Sequence, residues 1–247
     1  MNRTALFVGA SGLIGRQAIK AVLKSGNYTK VISIGRRVSK FEDDIPQENL
    51  VQKIVDFENI EASMDDLKNI NDVFFCFGTT PKTAGSWENY LKIDVEYLRN
   101  TAKAIADANR LPNQELVPVH ALFCSGAGAN KNSMIQVVKI KAENEEYFTE
   151  VGFERVSVFR VPAVKVTEQR EAPRMSETLI EYFMTPLNWV FGNGLMVEDS
   201  VIGSAFRRVA ADTSIKPANP KNIFETAQGA SRYTFTGSDM MRIASEK

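Results

Sequence analysis

The feature that most constrains the fold of this chain is a glycine-rich segment near its start, which reads GASGLIG. An apolar run at 5–8 precedes it, and apolar residues at helical spacing follow it as far as Lys24. A strand, a tight glycine turn and a helix in this order let a pyrophosphate approach the backbone and meet the helix's first N–H groups. The alternative is a tight turn without a ligand, but the context favours a dinucleotide-binding turn. Its predicted binding residues are Gly9, Ser11, Gly12, Leu13, Ile14 and Gly15.

Short apolar runs alternate with longer amphipathic ones over the first 160 residues, which is typical of βαβ units. We therefore predict an α/β protein with a doubly wound parallel sheet, the Rossmann fold. The region 1–160 is predicted to be the NAD(P)-binding core, and 161–247 a small C-terminal lobe packed on the same domain. Ser238 is expected to cap a last short helix. The predicted strands lie at 5–8, 31–34, 51–55, 72–77, 117–124 and 155–159.

Charge and composition exclude several classes of function. The chain of 247 residues has 30 Lys and Arg against 30 Asp and Glu, and this balance gives no electrostatic reason to expect a nucleic-acid partner. Two cysteines and one histidine provide neither a disulfide framework nor a Cys/His metal cluster. No apolar run approaches the roughly 20 residues that span a bilayer, and no signal peptide is evident. We expect a cytoplasmic protein without a transmembrane segment.

Two arginines indicate which dinucleotide binds. A carboxylate at the end of the second strand usually recognises the free ribose 2′-hydroxyl of NAD, whereas this strand ends in Gly35, Arg36 and Arg37. Guanidinium groups pair with phosphate and stack on adenine. The sequence therefore predicts NADP(H) as cofactor, with Arg36 and Arg37 on the 2′-phosphate and adenine. The alternative is a solvated arginine pair on a surface loop.

Several further motifs accompany the glycine turn and the IGRR segment at 34–37. They read VDF at 55–57, FGTTPKTAG at 77–85, KID at 92–94, SGAGANKNS at 125–133, KIKAE at 139–143 and SVFR at 157–160. In this combination the chain resembles atypical short-chain dehydrogenases/reductases, most closely the Tat-interacting-protein oxidoreductase family and its fungal mitochondrial-membrane relatives. Beyond residue 165 the resemblance is limited to the segment 233–244.

The resemblance implies individual contacts with the cofactor. Asp56 and Phe57 would hold the adenine, and Lys141 the nicotinamide ribose. The adenine-side ribose would lie against Phe77, Gly78 and Thr79, and the carboxamide near Pro162. It also allows a peripheral position on a mitochondrial membrane as an alternative to the cytoplasm. A monomer and a homodimer both remain open.

The chain departs from the family pattern at the usual proton donor. Such reductases commonly place a Tyr four residues before the Lys on one helix face, but Val137 stands four residues before Lys141. The Ser that orients a carbonyl is also displaced, because alignment through GAGAN places Gly126 there and Ser125 one residue early. Lys141 and Ser125 are the catalytic candidates. Tyr182 or Lys165 from the C-terminal lobe are possible substitute donors.

The sequence leaves three functions open. The first is an NADP(H)-dependent oxidoreductase acting on an unknown carbonyl or alcohol. The second is a non-catalytic NADPH-binding regulator that contacts a protein partner, as the absent tyrosine suggests. The third is an interaction protein whose fold binds no cofactor.

Overall fold

The glycine-rich segment forms the turn between the first strand and the first helix. The computed structural model describes residues 3–167 and 196–246. Strand β1 covers Thr4–Val8 and helix α1 covers Leu13–Ser25, as the sequence predicts. The helix ends at Gly26, whose φ of 64° lies in the left-handed region that favours glycine.

The remaining core elements follow the predicted alternation. The strands are β2 (Lys30–Gly35), β3 (Leu50–Ile54), β4 (Asp72–Phe75), β5 (Val117–Gly126) and β6 (Phe153–Val161). The α-helices are α2 (Pro81–Ala84), α3 (Trp87–Leu91), α4 (Leu98–Asn109) and α5 (Gln136–Glu150). A 3₁₀ helix covers Phe57–Leu67, and a π-helical segment, Lys92–Tyr97, joins α3 to α4.

The central sheet confirms the doubly wound prediction. Its eight strands are ordered β3-β2-β1-β4-β5-β6-β10-β9, and all neighbours are parallel except β10 and β9. The order reverses between β1 and β4, which is where open α/β sheets form a ligand crevice beyond the carboxyl ends of the strands. The glycine turn after β1 and the loop after β4 both lie at this position.

The chain after β6 adds to the sheet and to one of its faces. The further elements are β7 (Ala163–Lys165), β8 (Met196–Glu198), α6 (Asp199–Ala211), β9 (Ile223–Glu225), β10 (Ser231–Phe235) and α7 (Gly237–Ser245). β7 and β8 pair as a separate two-stranded sheet. The prediction that Ser238 caps the last helix is wrong. Thr236 caps it, because its side chain accepts from the Asp239 amide while the Asp239 carboxylate accepts from the Thr236 amide.

Aromatic side chains pack both faces of the sheet. Phe75, Phe123 and Phe148 belong to the cluster under the 3₁₀ helix, α4 and α5. On the other face, Phe159 stacks on Phe206 of α6 with ring centroids 3.8 Å apart. This packing removes large apolar surfaces from water and holds the carboxyl edge of the sheet in a fixed geometry.

Candidate cofactor-binding and active site

The glycine turn has no room for side chains at two of its three glycines. Gly9 has a φ of 91°, and a Cβ there would lie 2.8 Å from the Cys76 carbonyl oxygen. A Cβ on Gly15 would lie 2.2 Å from the Gly9 carbonyl oxygen. The turn is closed by a hydrogen bond of 3.1 Å from the Gly12 amide to Gly9. The close packing of β1, α1 and the end of β4 therefore requires glycine at these positions.

The amino end of α1 faces this turn with its amides available. Gly12 is the N-cap, no side chain of the described residues caps the helix, and its first turn carries no acidic residue. Ser11 and Gly12 are exposed, and Leu13 and Ile14 are half-buried. Unpaired N–H groups and the positive end of the helix dipole attract an anion. The geometry fits a pyrophosphate, as the sequence predicts.

The two arginines after β2 are unengaged. Arg36 and Arg37 are exposed, and neither makes a hydrogen bond or an ion pair within residues 3–167 and 196–246. The nearby cations of α1 differ, because Arg16 and Lys20 both pair with Glu42 in the following loop. A hydrogen bond from its own backbone amide, together with Arg16, lowers the pKa of Glu42 to about 2. Arg36 and Arg37 are thus available to an anionic ligand.

The residues predicted to surround the adenine and its ribose follow β3 and β4. Asp56 is exposed and caps the 3₁₀ helix by accepting from the Glu58 amide at 2.9 Å. The Phe57 side chain is buried and stacks on Phe77, with ring centroids 5.0 Å apart. Phe57 therefore contributes to the core beneath Phe77, whose half-buried ring lies nearer the crevice.

Lys141 is held in place by a buried aspartate. Its Nζ donates to Asp94 Oδ1 at 2.7 Å, and the other carboxylate oxygen accepts from the Thr79 amide at 2.6 Å. Asp94 lies in the π-helical segment, and its backbone carbonyl accepts from Asn144 at 2.7 Å. The backbone of Gly78 passes beside Asp94 and Lys141, where a Cβ would lie 3.4 Å from the lysine Nζ. The structure thus brings the predicted residues Gly78, Thr79 and Lys141 together.

Ser125 is engaged in a different buried contact. Its hydroxyl donates to Glu145 Oε1 at 2.6 Å, and Glu145 is also bound by Arg160 through Nε and Nη2. Ser125 and Glu145 are both buried. A hydroxyl whose proton is already donated to a carboxylate is poorly placed to donate to a substrate carbonyl.

The remaining residues considered for the active site lie on different elements of the fold. Val137 lies on α5 one turn before Lys141 and is half-buried. Lys165 lies in β7 and pairs with Glu198 at 2.9 Å. Pro162 lies between β6 and β7. Tyr182 lies outside the described residues.

The sequence does not identify two buried acids of the site. It indicates that Asp94 is structural or solvated, and its buried ion pair with Lys141 agrees with the structural alternative. Glu145 is expected on a solvated helix face, and this is wrong because it is buried against Ser125 and Arg160. The i to i+4 spacing of Lys141 and Glu145 places both residues on one face of α5. This spacing is the sequence signal that associates Glu145 with the predicted site.

The surroundings of Cys76 and Cys124 disfavour the thiolate forms of both side chains. Burial raises the pKa of Cys76 well above its ordinary value and the pKa of Cys124 to about 11. Thiols with raised pKa values are poor nucleophiles at neutral pH. Within the described residues no His, Cys, Asp and Glu cluster is suited to a metal ion.

Comparison with known proteins identifies the family. No family model matches the chain. It is 31% identical to protein HTATIP2 of Rattus norvegicus over 198 residues, which cover 79% of this chain and 77% of that protein. It is 29% identical to the mitochondrial protein fmp52 of Emericella nidulans, over 86% of this chain and 87% of that protein.

A solved structure shares the fold. The chain superposes on an oxidoreductase of the short-chain dehydrogenase/reductase family from Burkholderia thailandensis with a TM-score of 0.62. The superposition covers 87% of each chain. Sequence identity in that comparison is 16%, so the likeness concerns the fold. Taken with the relatives and with the glycine turn at the switch point, the chain belongs to the HTATIP2-like family of atypical short-chain dehydrogenases/reductases, which are Rossmann-fold NAD(P)-binding oxidoreductases.

Proposed function

We propose that the protein is an NADP(H)-dependent oxidoreductase that acts on a small carbonyl or alcohol. The observation that carries this proposal is the glycine turn, which excludes side chains and leaves the amides of α1 available next to the unengaged Arg36 and Arg37. Amides and a helix dipole receive the pyrophosphate, and the guanidinium groups receive the additional 2′-phosphate.

The protein's own residues orient the cofactor and prepare the active site. Asp94 fixes Lys141, whose ammonium group would hold the nicotinamide-side ribose, and the Thr79 amide fixes Asp94. When bound, the reduced nicotinamide supplies the hydride. The Val137 side chain has no acidic proton, and the Ser125 hydroxyl already donates its hydrogen bond to Glu145. The proton donor therefore belongs to another group or to water.

The residues after 160 would complete the site. We propose that 1–160 bind the cofactor and that 161–247 provide the walls around the substrate. This is supported by the position of Pro162 and of β7, which directly continue the carboxyl end of β6.

A second candidate is an NADPH-binding regulatory protein without catalysis. It is favoured by the engagement of Ser125 with Glu145 and by the absence of a proton donor at Val137. Consumption of NADPH with a panel of aldehydes, ketones and quinones separates the two candidates. Turnover supports the oxidoreductase, whereas tight NADPH binding with zero turnover across the panel supports the regulator.

The NADP(H) preference is tested by calorimetry with NADPH and NADH. We expect Arg36→Ala and Arg37→Ala each to weaken NADPH binding about tenfold to a hundredfold, since charge-assisted hydrogen bonds to phosphate are lost, and to weaken NADH binding much less, since NADH shares only the adenine contact. Lys30→Ala is a matched control, because it removes one exposed positive charge at the opposite end of β2. Equal affinity of the wild-type protein for NADPH and NADH contradicts the proposed preference.

We propose a cytoplasmic location, with a peripheral position on a mitochondrial membrane as the alternative that the name of the fungal relative suggests. In the parts of the chain that the structure describes, every helix is too short or too polar to cross a bilayer. Fractionation of cells followed by a high-salt wash of the mitochondria distinguishes the two locations.

A further inference from the structure

The Tyr90 hydroxyl is a buried polar group without a partner. The residue is 0% exposed, and its hydroxyl makes no hydrogen bond within residues 3–167 and 196–246. A buried hydroxyl left unpaired lowers the stability of the folded state, a cost that phenylalanine would avoid. This hydroxyl is one of seven such buried side-chain atoms among the described residues, and it is of interest because it lies near Asp94, which binds Lys141.

Tyr90 lies close to the group that holds Lys141. It belongs to α3, and Asp94 follows it by four residues in the π-helical segment. Residues at this spacing lie on one helix face, and π-helical insertions are frequent at functional sites. The ring stacks on Trp87, with centroids 5.1 Å apart, which orients the phenol.

The phenol is a hydrogen-bond donor at neutral pH. Burial, and then the negative charge of Asp94, raise the pKa of Tyr90 above its ordinary value. The group therefore keeps its proton and can donate it to an oxygen acceptor, but it is poorly suited to act as a base.

A ligand that binds beside Asp94 and Lys141 can provide the acceptor. Asp94 joins Lys141 to the Thr79 amide, and the backbone of Gly78 lies against both side chains. Within this group Asp94 and Lys141 already bind each other, whereas Tyr90 has an unused donor. A ribose carries two adjacent hydroxyl groups, so it can bind a lysine and a phenol at once.

We propose that Tyr90 binds the nicotinamide-side ribose of the dinucleotide by donating a hydrogen bond to one of its hydroxyl oxygens, beside Lys141. This inference rests on the proposed function. It also offers a reason why α5 can have a valine at position 137. The hydrogen-bonding side chain that is absent there is provided by Tyr90 of α3. Because Tyr90 is 0% exposed, this contact requires a rearrangement that uncovers its hydroxyl.

The test compares two nucleotides on the full-length protein with Tyr90→Phe. NADPH contains the nicotinamide-side ribose, and adenosine 2′,5′-bisphosphate lacks it. We expect calorimetry to give a Kd for NADPH that is about three- to tenfold higher in the variant, as for the loss of one neutral hydrogen bond. The Kd for adenosine 2′,5′-bisphosphate stays unchanged.

A stability measurement separates this role from packing. Tyr90→Phe removes an unpaired hydroxyl, so the urea midpoint of the cofactor-free protein is expected to stay the same or to rise. Tyr147→Phe is the matched control, since that hydroxyl donates weakly to the Arg99 carbonyl at 3.4 Å. The control leaves both affinities unchanged.

Three results would overturn the inference. Unchanged NADPH affinity in Tyr90→Phe shows that the hydroxyl is only a packing defect. Equal weakening of both nucleotides shows a general loosening of the site. If the wild-type protein binds neither nucleotide, the proposed function itself fails, and this outcome is recognisable before any variant is made.

Discussion

Each end of the sheet has a buried aspartate nearby, but the two surroundings differ in their relation to the proposed cofactor site. At the amino end, Asp72 accepts from Arg3 at 2.6 Å and from the Tyr28 hydroxyl at 3.0 Å. At the carboxyl end, Asp94 binds Lys141 and the Thr79 amide, and the nearby Tyr90 hydroxyl has no hydrogen-bond partner among the described residues. His120 Nδ1 of the amino-end cluster also lacks a hydrogen bond there, but only the carboxyl-end cluster lies beside the proposed cofactor site.

The amino-end cluster also shows that a chain of neighbouring polar side chains does not by itself form an active site. His120 Nδ1 lies 3.3 Å from Asp72, and its Nε2 lies 2.8 Å from the Ser157 hydroxyl. An acid, a histidine and a serine in this order are the parts of a hydrolytic triad. Ser157 lies within β6, away from the carboxyl edge of the sheet where the crevice forms, and its neighbours Leu122 and Tyr233 on the adjacent strands belong to the buried core. The cluster therefore joins β4, β5 and β6, and its role is structural.

The largest effect is expected from the glycine turn at the carboxyl end. Gly15→Ala places a Cβ 2.2 Å from the Gly9 carbonyl, so either the turn or α1 must shift. We expect a loss of about 3 kcal/mol or more in the free energy of unfolding, and loss of NADPH binding. Urea unfolding and calorimetry measure the two effects.

Gly35→Ala is the control for stability, because its Cβ would meet its nearest atom at an ordinary 3.5 Å. Retention of wild-type stability and NADPH affinity in Gly15→Ala would contradict the geometry of the turn.

A smaller and more selective effect is expected from the two aspartates. Asp72→Asn removes the charge that pairs with Arg3 and leaves NADPH affinity unchanged. We expect a loss of about 2 kcal/mol in the free energy of unfolding, less than for a fully buried pair, since Arg3 is partly exposed and asparagine keeps one acceptor. Asp94→Asn releases Lys141 and is expected to weaken NADPH binding about tenfold.

The comparison fails if the pattern is reversed, with Asp72→Asn weakening NADPH binding and Asp94→Asn leaving it intact. Both variants need urea unfolding curves and calorimetric titrations under the same conditions, because a destabilised protein also binds less cofactor when part of it is unfolded.

The sequence predicts the strands of the core better than it predicts the site. The strands and the glycine turn depend on local patterns of apolar residues and glycine, so Gly9 and Gly15 were recognisable directly. Asp94 and Glu145 were not, because their burial depends on how α3, α4 and α5 pack together. A carboxylate on an amphipathic helix looks the same in sequence whether it faces water or Lys141. Thr236 was missed as a cap because Ser238, two residues on, is an equally good capping residue.

The smallest effect concerns the pH dependence of the amino-end cluster. Burial lowers the pKa of His120 below its ordinary value of 6.5, although the nearby Asp72 opposes the shift. The folded state therefore binds fewer protons than the unfolded state below about pH 6.5, and stability falls as the pH decreases from there toward the lowered pKa. The chain has one histidine, so the effect can be assigned to a single side chain. We expect the urea midpoint to be lower at pH 5.5 than at pH 7.5, and this difference to shrink in His120→Gln, whose amide can still contact Ser157. An equal decrease in both proteins would assign the pH dependence to other groups and would leave His120 without influence on folding.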